Sequence, residues 1–392
     1  MAEDLSKFTT DDFSFLDDID DDTINSVNDP SDDVESLLAN EPTLVEFGLN
    51  TKLPEAFKKA HKAVFSIHDQ SPHEQNIFNI MNAKMSISHW ENGKSPIYEF
   101  RAAELAEWLG ISPKHIGTTL NPAAKRLMAR SVGFTVDTDN GEEFEYISIF
   151  SKVKYANAKL TIIPNPMLKD FLMEFNRGYA LINTSNIIKL KKSYSKRIYE
   201  FLSRFKEEGT YLYPMKLDSL RHYFGLFDEK GNLHKGKKSL KTPSVFITRC
   251  IEDSIEEINK ICPNEIIFFK GEQGHLGYTP IKKGRYYIGV KFHYQWLNTK
   301  IKLSTEDALS TIKELEHKRL IKKEMLSNGE LELLSLAYIK VDLREKAIKL
   351  IKVLQERNLK AAASAKDSEQ TEELSILDKI AQLESMNPDV GY

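Results

Sequence analysis

The chain repeats itself, and that repetition restricts its fold more than any other feature. Residues 73–84, HEQNIFNIMNAK, lie over residues 194–205, YSKRIYEFLSRF, so that Ile77, Phe78 and Met81 coincide with Ile198, Tyr199 and Leu202. These positions are the i, i+1, i+4 edge of an amphipathic helix. Residues 97–111 (IYEFRAAELAEWLGI) then lie over residues 212–226 (LYPMKLDSLRHYFGL) without a gap, pairing Leu105, Trp108, Leu109, Gly110 and Ile111 with Leu220, Tyr223, Phe224, Gly225 and Leu226. Each copy reads as a short strand and a short helix, closed by a glycine suited to a left-handed C-cap. A third helix follows with one start signal in both copies, Ser112-Pro113 and Thr242-Pro243. A hydroxyl N-cap before a proline at the first helical position opens a helix without wasting a backbone donor.

After the third helix each half turns to β-branched and aromatic runs, around Asn140-Gly141 in one and Lys283-Gly284 in the other, which predicts a β-hairpin. Thr161 to Asn165 and a helical stretch from Met167 to Phe175 are expected to join the halves. Three helices and a hairpin, in that order and twice over, predict two tandem winged-helix domains. The expected class is α+β, mostly helical. Four regions follow: an acidic disordered tail over 1–50, a first winged helix over 51–165, a second over 166–300, and a helical extension over 301–392.

Charge divides along these boundaries. The net charge is -4, but residues 1–50 hold 15 Asp and Glu against one Lys, and residues 151–300 hold 27 Lys and Arg against 14 Asp and Glu. Dense like charge with scattered apolar residues makes the first segment a tail, whereas a basic middle suits phosphate-bearing partners. A lysine-rich solvated surface would give the same count. No apolar run is long enough to span a bilayer, and MAEDLSKFTT lacks a signal peptide's basic start and apolar stretch, so no membrane partner and a cytoplasmic location are expected. The two cysteines, Cys250 and Cys262, are too few for a disulfide framework and read as small core residues in a reducing compartment.

In a winged helix the third helix enters the major groove, so the residues to inspect lie off its apolar stripe. In the second copy Ile247, Ile251, Ile255 and Ile258 form that stripe, which leaves Lys241, Thr242, Ser244, Thr248 and Arg249 for DNA. An arginine there can donate two hydrogen bonds to guanine; a threonine can meet a thymine methyl or a phosphate. The first copy offers Lys114, His115, Thr118 and Thr119 in the matching places, with Lys125, Arg126 and Arg130 further along. His115 could equally cap the helix or face solvent. Two further basic clusters, Lys237 and Lys238 within HKGKKSLK and Lys282, Lys283 and Arg285 around the wing glycine Gly284, suit backbone or minor-groove contacts, or a solubilising loop.

Enzymatic readings fare worse. Gly231 to Lys237 has the spacing of a phosphate-binding loop, but Lys238 stands where Ser or Thr should hold magnesium, and no apolar strand precedes it. The ten histidines include no His-x-His pair and no HExxH, which argues against a histidine-metal nuclease or a zinc hydrolase. Asp17 to Asp22 lies in the tail, without a scaffold for a metal. No cofactor, no metal and no catalytic residue are expected.

The stretch Leu190 to Tyr294 resembles the replication initiators of iteron-bearing, theta-replicating bacterial plasmids, the RepE, Pi and RepA type. The likeness rests on SYSKRIYEFLSRFKEEG, LDSLRHYFGL, FITRCIEDSIEEIN and IKKGRYYIGVKF, in that order; KLTIIPNPMLKDFLMEFNRGYALI resembles the link between the family's two winged helices. The resemblance covers about residues 70–295. It implies that two winged helices grip successive grooves of repeated origin DNA, that Arg249, Glu257-Ile258-Asn259 and Lys283-Gly284-Arg285 occupy family positions, and that the first domain can mediate a homodimer. Ile247 and Cys250 depart from the family's usual lysine and valine. The implied activity is origin opening and recruitment of a host initiator and helicase, with no enzymatic function. Two other readings stay open: a tandem winged-helix transcriptional repressor, and a phosphate-processing enzyme built on the Gly231 loop.

Overall fold

The structure is a computed structural model and describes residues 43–44, 52–67, 69–93, 95–138, 141–206, 212–228, 230–298, 301, 303–354 and 356–357. The acidic stretch Phe13 to Asp22, the polar run AAASAKDSEQTEE and the segment Leu374 to Leu383 lie outside the described residues.

The elements of the first half are β1 (Thr43–Leu44), β2 (Ala56–Ala60), α1 (Pro72–Lys84), β3 (Pro96–Arg101), α2 (Ala102–Leu109), α3 (Ile116–Met128), β4 (Ser131–Thr138), β5 (Gly141–Ser148), β6 (Phe150–Ala156) and β7 (Lys159–Pro164). The tail expected over residues 1–50 is not wholly separate from the fold, because β1 pairs in parallel with β3, Thr43 against Pro96 and Leu44 against Ile97. The second half comprises β8 (Tyr179–Asn183), α4 (Ser193–Ser203), β9 (Met215–Lys216) and α5 (Leu217–Tyr223). Then comes one continuous helix, α6 (243–261), made of Pro243–Phe246, a π-helical turn Ile247–Glu252 and Asp253–Ile261. Strands β10 (Ile266–Phe268), β11 (Tyr278–Lys283), β12 (Tyr286–Phe292) and β13 (Tyr294–Trp296) close it.

The repeat seen in the sequence is a repeat in space. Each half runs helix, short strand, helix, helix, hairpin, and in each the strand before the second helix pairs with a later hairpin: β3 with β7, and β9 with β12. Gly110 and Gly225 both take left-handed conformations, φ 62° and 60°, where a Cβ would be strained. Proline opens the third helix of each half, as expected, but neither Ser112 nor Thr242 makes a side-chain cap bond. A tight 3-10 turn, Pro113–His115, starts the first of these helices instead.

Two expectations about the first half need correction. The hairpin that joins β3 is β6–β7, turning at Asn157 and Ala158 with φ 52° and 55°. Ser131–Thr138 and Gly141–Ser148 pair with each other as a separate hairpin, β4–β5. Thr161 to Pro164 is consequently the wing's last strand rather than part of a linker. The turn signal at Asn-Gly is local, while the choice of which hairpin completes the sheet depends on side chains distant in sequence; Tyr98 and Ile162, both buried, are the inward pair that selects β7.

Helices α1 and α4 also depart from amphipathic expectation. Ile77, Phe78, Met81, Ile198, Tyr199 and Leu202 are buried as the repeat requires, but so are Glu74, Asn76, Asn79, Lys196, Arg197 and Glu200. Both helices run through the middle of the molecule, enclosed on every face, and their polar residues bond across it. Lys196 Nζ donates to Asn76 Oδ1 at 2.7 Å, joining α4 to α1. Phe65 stacks on Phe201 with ring centres 5.2 Å apart, and β2 pairs with β8 along five residues. One apolar core therefore spans both halves.

The C-terminal helices α7 (Thr305–Glu316), α8 (Asn328–Lys340) and α9 (344–354) build a smaller core of their own around Leu315, Leu334, Tyr338 and Ile351. It reaches the main body through Ile267 and Phe269, beside and within β10.

Candidate nucleic-acid interface

Helix α6 divides its residues by solubility. Phe246, Ile247, Cys250, Ile251, Ile255 and Ile258 are buried, each large apolar side chain contributing about 1.5–3 kcal/mol over exposure. That holds the opposite face outward, and Lys241, Thr242, Ser244, Thr248 and Arg249 are exposed. The two departures from the family pattern, Ile247 and Cys250, both point inward and offer nothing to a groove. Cys262 is buried too; burial pushes both thiols up to about 12, so they are small core residues rather than nucleophiles. Glu257 anchors the helix by accepting from the backbone N–H groups of Lys191 (2.8 Å) and Lys192 (3.2 Å), just ahead of α4.

Helix α3 repeats the division. Ile116, Leu120, Ala123 and Leu127 are buried; Lys114, His115, Thr118 and Lys125 are exposed and Thr119 is half-buried. Thr118 Oγ1 donates to the His115 carbonyl at 3.0 Å, so this hydroxyl serves the first helical turn. Arg126, in the last turn of α3, and Arg130, just past its end, fold back on the buried carboxylate of Glu74. Burial would raise that carboxyl's pKa, but hydrogen bonds from Arg126 and Ser71 and the charges of both arginines hold it below the ordinary range.

The wing of the second half carries Lys282, Lys283 and Arg285, all exposed, around Gly284 at φ 61°. Lys282 Nζ lies 4.7 Å from the Tyr287 ring centre, a cation–π arrangement. Tyr286, 77% exposed at the tip, is an aromatic that the charge pattern does not flag. In the first half the corresponding hairpin exposes Lys152 and Lys154 on either side of half-buried Val153. The alternation in SKVKY carries that signal once β6 is recognised as a wing strand. Lys238 is exposed on the insertion, but Lys237 is half-buried and donates to the Tyr194 hydroxyl at 2.7 Å. The Gly231 loop begins inside a turn closed by a single bridge, Phe227 to Leu233, rather than at the end of a strand. Among the described residues no group of His, Cys, Asp and Glu is placed to hold a metal, and no helix is long and apolar enough to cross a membrane.

Residues 56–203 match the family model for the WH1 domain of initiator replication proteins. Over that stretch the chain is similar to an initiator replication protein WH1 domain. This initiator domain model spans β2 to α4, so it takes in the helix whose lysine bonds Asn76. Among solved structures, the Pi initiator protein in complex with iteron DNA is similar at 15% identity, with a TM-score of 0.48, covering 63% of this chain and 99% of that one. The WH1 domain of MSBI1.176, a replication protein isolated from a multiple sclerosis patient, is similar at 18% identity with a TM-score of 0.20, covering 26% of this chain and 79% of that one. No curated protein matches the chain significantly.

Proposed function

We propose that this chain is a plasmid replication initiator that binds repeated origin DNA sequence-specifically through two winged helices, one over residues 51–165 and one over 166–300. The observation that carries the reading is the pair of third helices. Each is locked inward by an apolar stripe and leaves cations and hydroxyls on its outer face: Lys114, His115, Thr118, Thr119 and Lys125 on one side, and Lys241, Thr242, Ser244, Thr248 and Arg249 on the other. Lys282, Lys283 and Arg285 on the wing, with Lys237 and Lys238 on the insertion, supply phosphate contacts that set affinity without selecting sequence.

In this reading the bound protein opens adjacent DNA and recruits a host initiator and helicase, the first domain mediates a homodimer, and the reaction chemistry belongs to the host enzymes. The basic surface and the WH1 match support it. A plasmid carrying the gene and its flanking repeats should replicate in a bacterial host, and repeats placed in trans should be protected in footprints by purified protein. Protection of the repeats without replication would leave a repressor; nicking or nucleotide hydrolysis by the pure protein would return the enzyme reading.

A further inference from the structure

The N-termini of α1 and α4 open onto one cavity of about 340 Å³, lined on one side by residues 69–72, Glu74 and Gln75 with Arg126 and Arg130, and on the other by Ser193, Tyr194, Arg197 and Lys237. A helix N-terminus carries a partial positive charge, and here two such ends converge. Around them stand three cations that the family resemblance does not assign: Arg126, Arg130 and, across the cavity, Lys237. Two of the lining side chains are deeply buried and hold donors without a partner among the described residues, Gln70 Nε2 and Arg197 Nε. Arg130 Nε is a third such donor. Buried donors left unbonded cost free energy, on the order of 1–3 kcal/mol each, so donors clustered around one space mark what that space should hold.

We infer that this cavity is an oxyanion site that takes a phosphate group. Its volume is roughly that of ten water molecules, enough for a phosphate with part of its hydration. The lining is not purely cationic: Glu74 and Asp69 also reach it. Glu74 already engages Arg126 and Arg130, so the ligand shares those guanidiniums, each of which carries five N–H donors. Gln75 adds an acceptor without a partner, its Oε1; a hydrogen phosphate, which carries an O–H, could satisfy it where a fully ionised anion could not. Because the cavity joins α1 to α4, occupancy would tighten the contact between the two halves. The assignment does not rest on the origin-binding reading.

The test is thermal unfolding of the full chain with inorganic phosphate added against chloride at equal ionic strength. A saturable rise in Tm is expected, with its half-maximal concentration increased about tenfold in Lys237→Gln and again in R126Q/K237Q. Lys237→Gln alone changes a half-buried surface side chain, and its Tm in chloride reports that it folds. Random-sequence duplex then separates the sources: competition with phosphate assigns the site to a backbone phosphate, and additivity assigns it to a free phosphate or monoester. No saturable rise, or an identical rise in Lys237→Gln and R126Q/K237Q, overturns the site.

Discussion

Lys59 and Glu200 meet inside the protein, amine to carboxylate at 2.8 Å, although one lies on β2 and the other in the middle of α4. Arg197 completes the group: it donates to Glu200 at 2.6 Å and to the carbonyls of Val64 and Ser66. Burial pulls the Lys59 amine down to about 8 against the attraction of Glu200, while Glu200 is held below the carboxylate range because both cations outweigh its own burial. Such a group contributes little net stability when intact, but losing one member strands the others. Glu200→Gln is expected to cost about 3–5 kcal/mol in urea unfolding; a loss below 1 kcal/mol (roughly a surface ion pair) would mean the cations find other partners.

His61 gives the fold an acid limit. Burial, assisted by the neighbouring Arg204, lowers its pKa from 6.5 to about 4. Between those values the unfolded chain takes up a proton that the folded chain refuses, so the stabilisation is complete above 6.5 and is lost as pH falls toward 4. The slope can reach at most about 1.4 kcal/mol per pH unit. Urea midpoints measured across this window should fall less steeply for His61→Asn than for the parent, and parallel curves would reassign the effect.

Arg249 stands exposed on a helix whose other face is fixed in the core. Arg249→Ala should leave the Tm unchanged and weaken binding to the origin repeat by about 1–3 kcal/mol, with relaxed preference at one base pair. Fluorescence anisotropy on single-base variants of the repeat measures both, and unaltered discrimination would remove Arg249 from base recognition.

The wing should behave differently. Exchanging Lys283 and Arg285 for glutamine is expected to lower affinity for specific and random duplex alike. The slope of log affinity against log salt should flatten by about 0.9 for each phosphate contact removed. A change in sequence preference, with the slope intact, would place the wing among the base-reading elements.

What the sequence determined is everything written in neighbours along the chain. The stripe Ile247, Ile251, Ile255 and Ile258 recurs at helical spacing and so identified both the inner face of α6 and, by subtraction, Arg249; Gly110 and Gly225 needed only their own backbone angles to end their helices. Tertiary structure decided what depends on partners brought together from afar. It chose β6–β7 rather than the Asn-Gly hairpin to complete the first wing, and it drew Arg126 back to Glu74, 52 residues away, when charge alone had aimed it at DNA. It also made α1 and α4 central, so that residues expected on a wet face became a buried ionic network. Periodicity states which side of a helix is apolar, but a polar side can be either solvated or enclosed, and only the packing of the two halves against each other settles which.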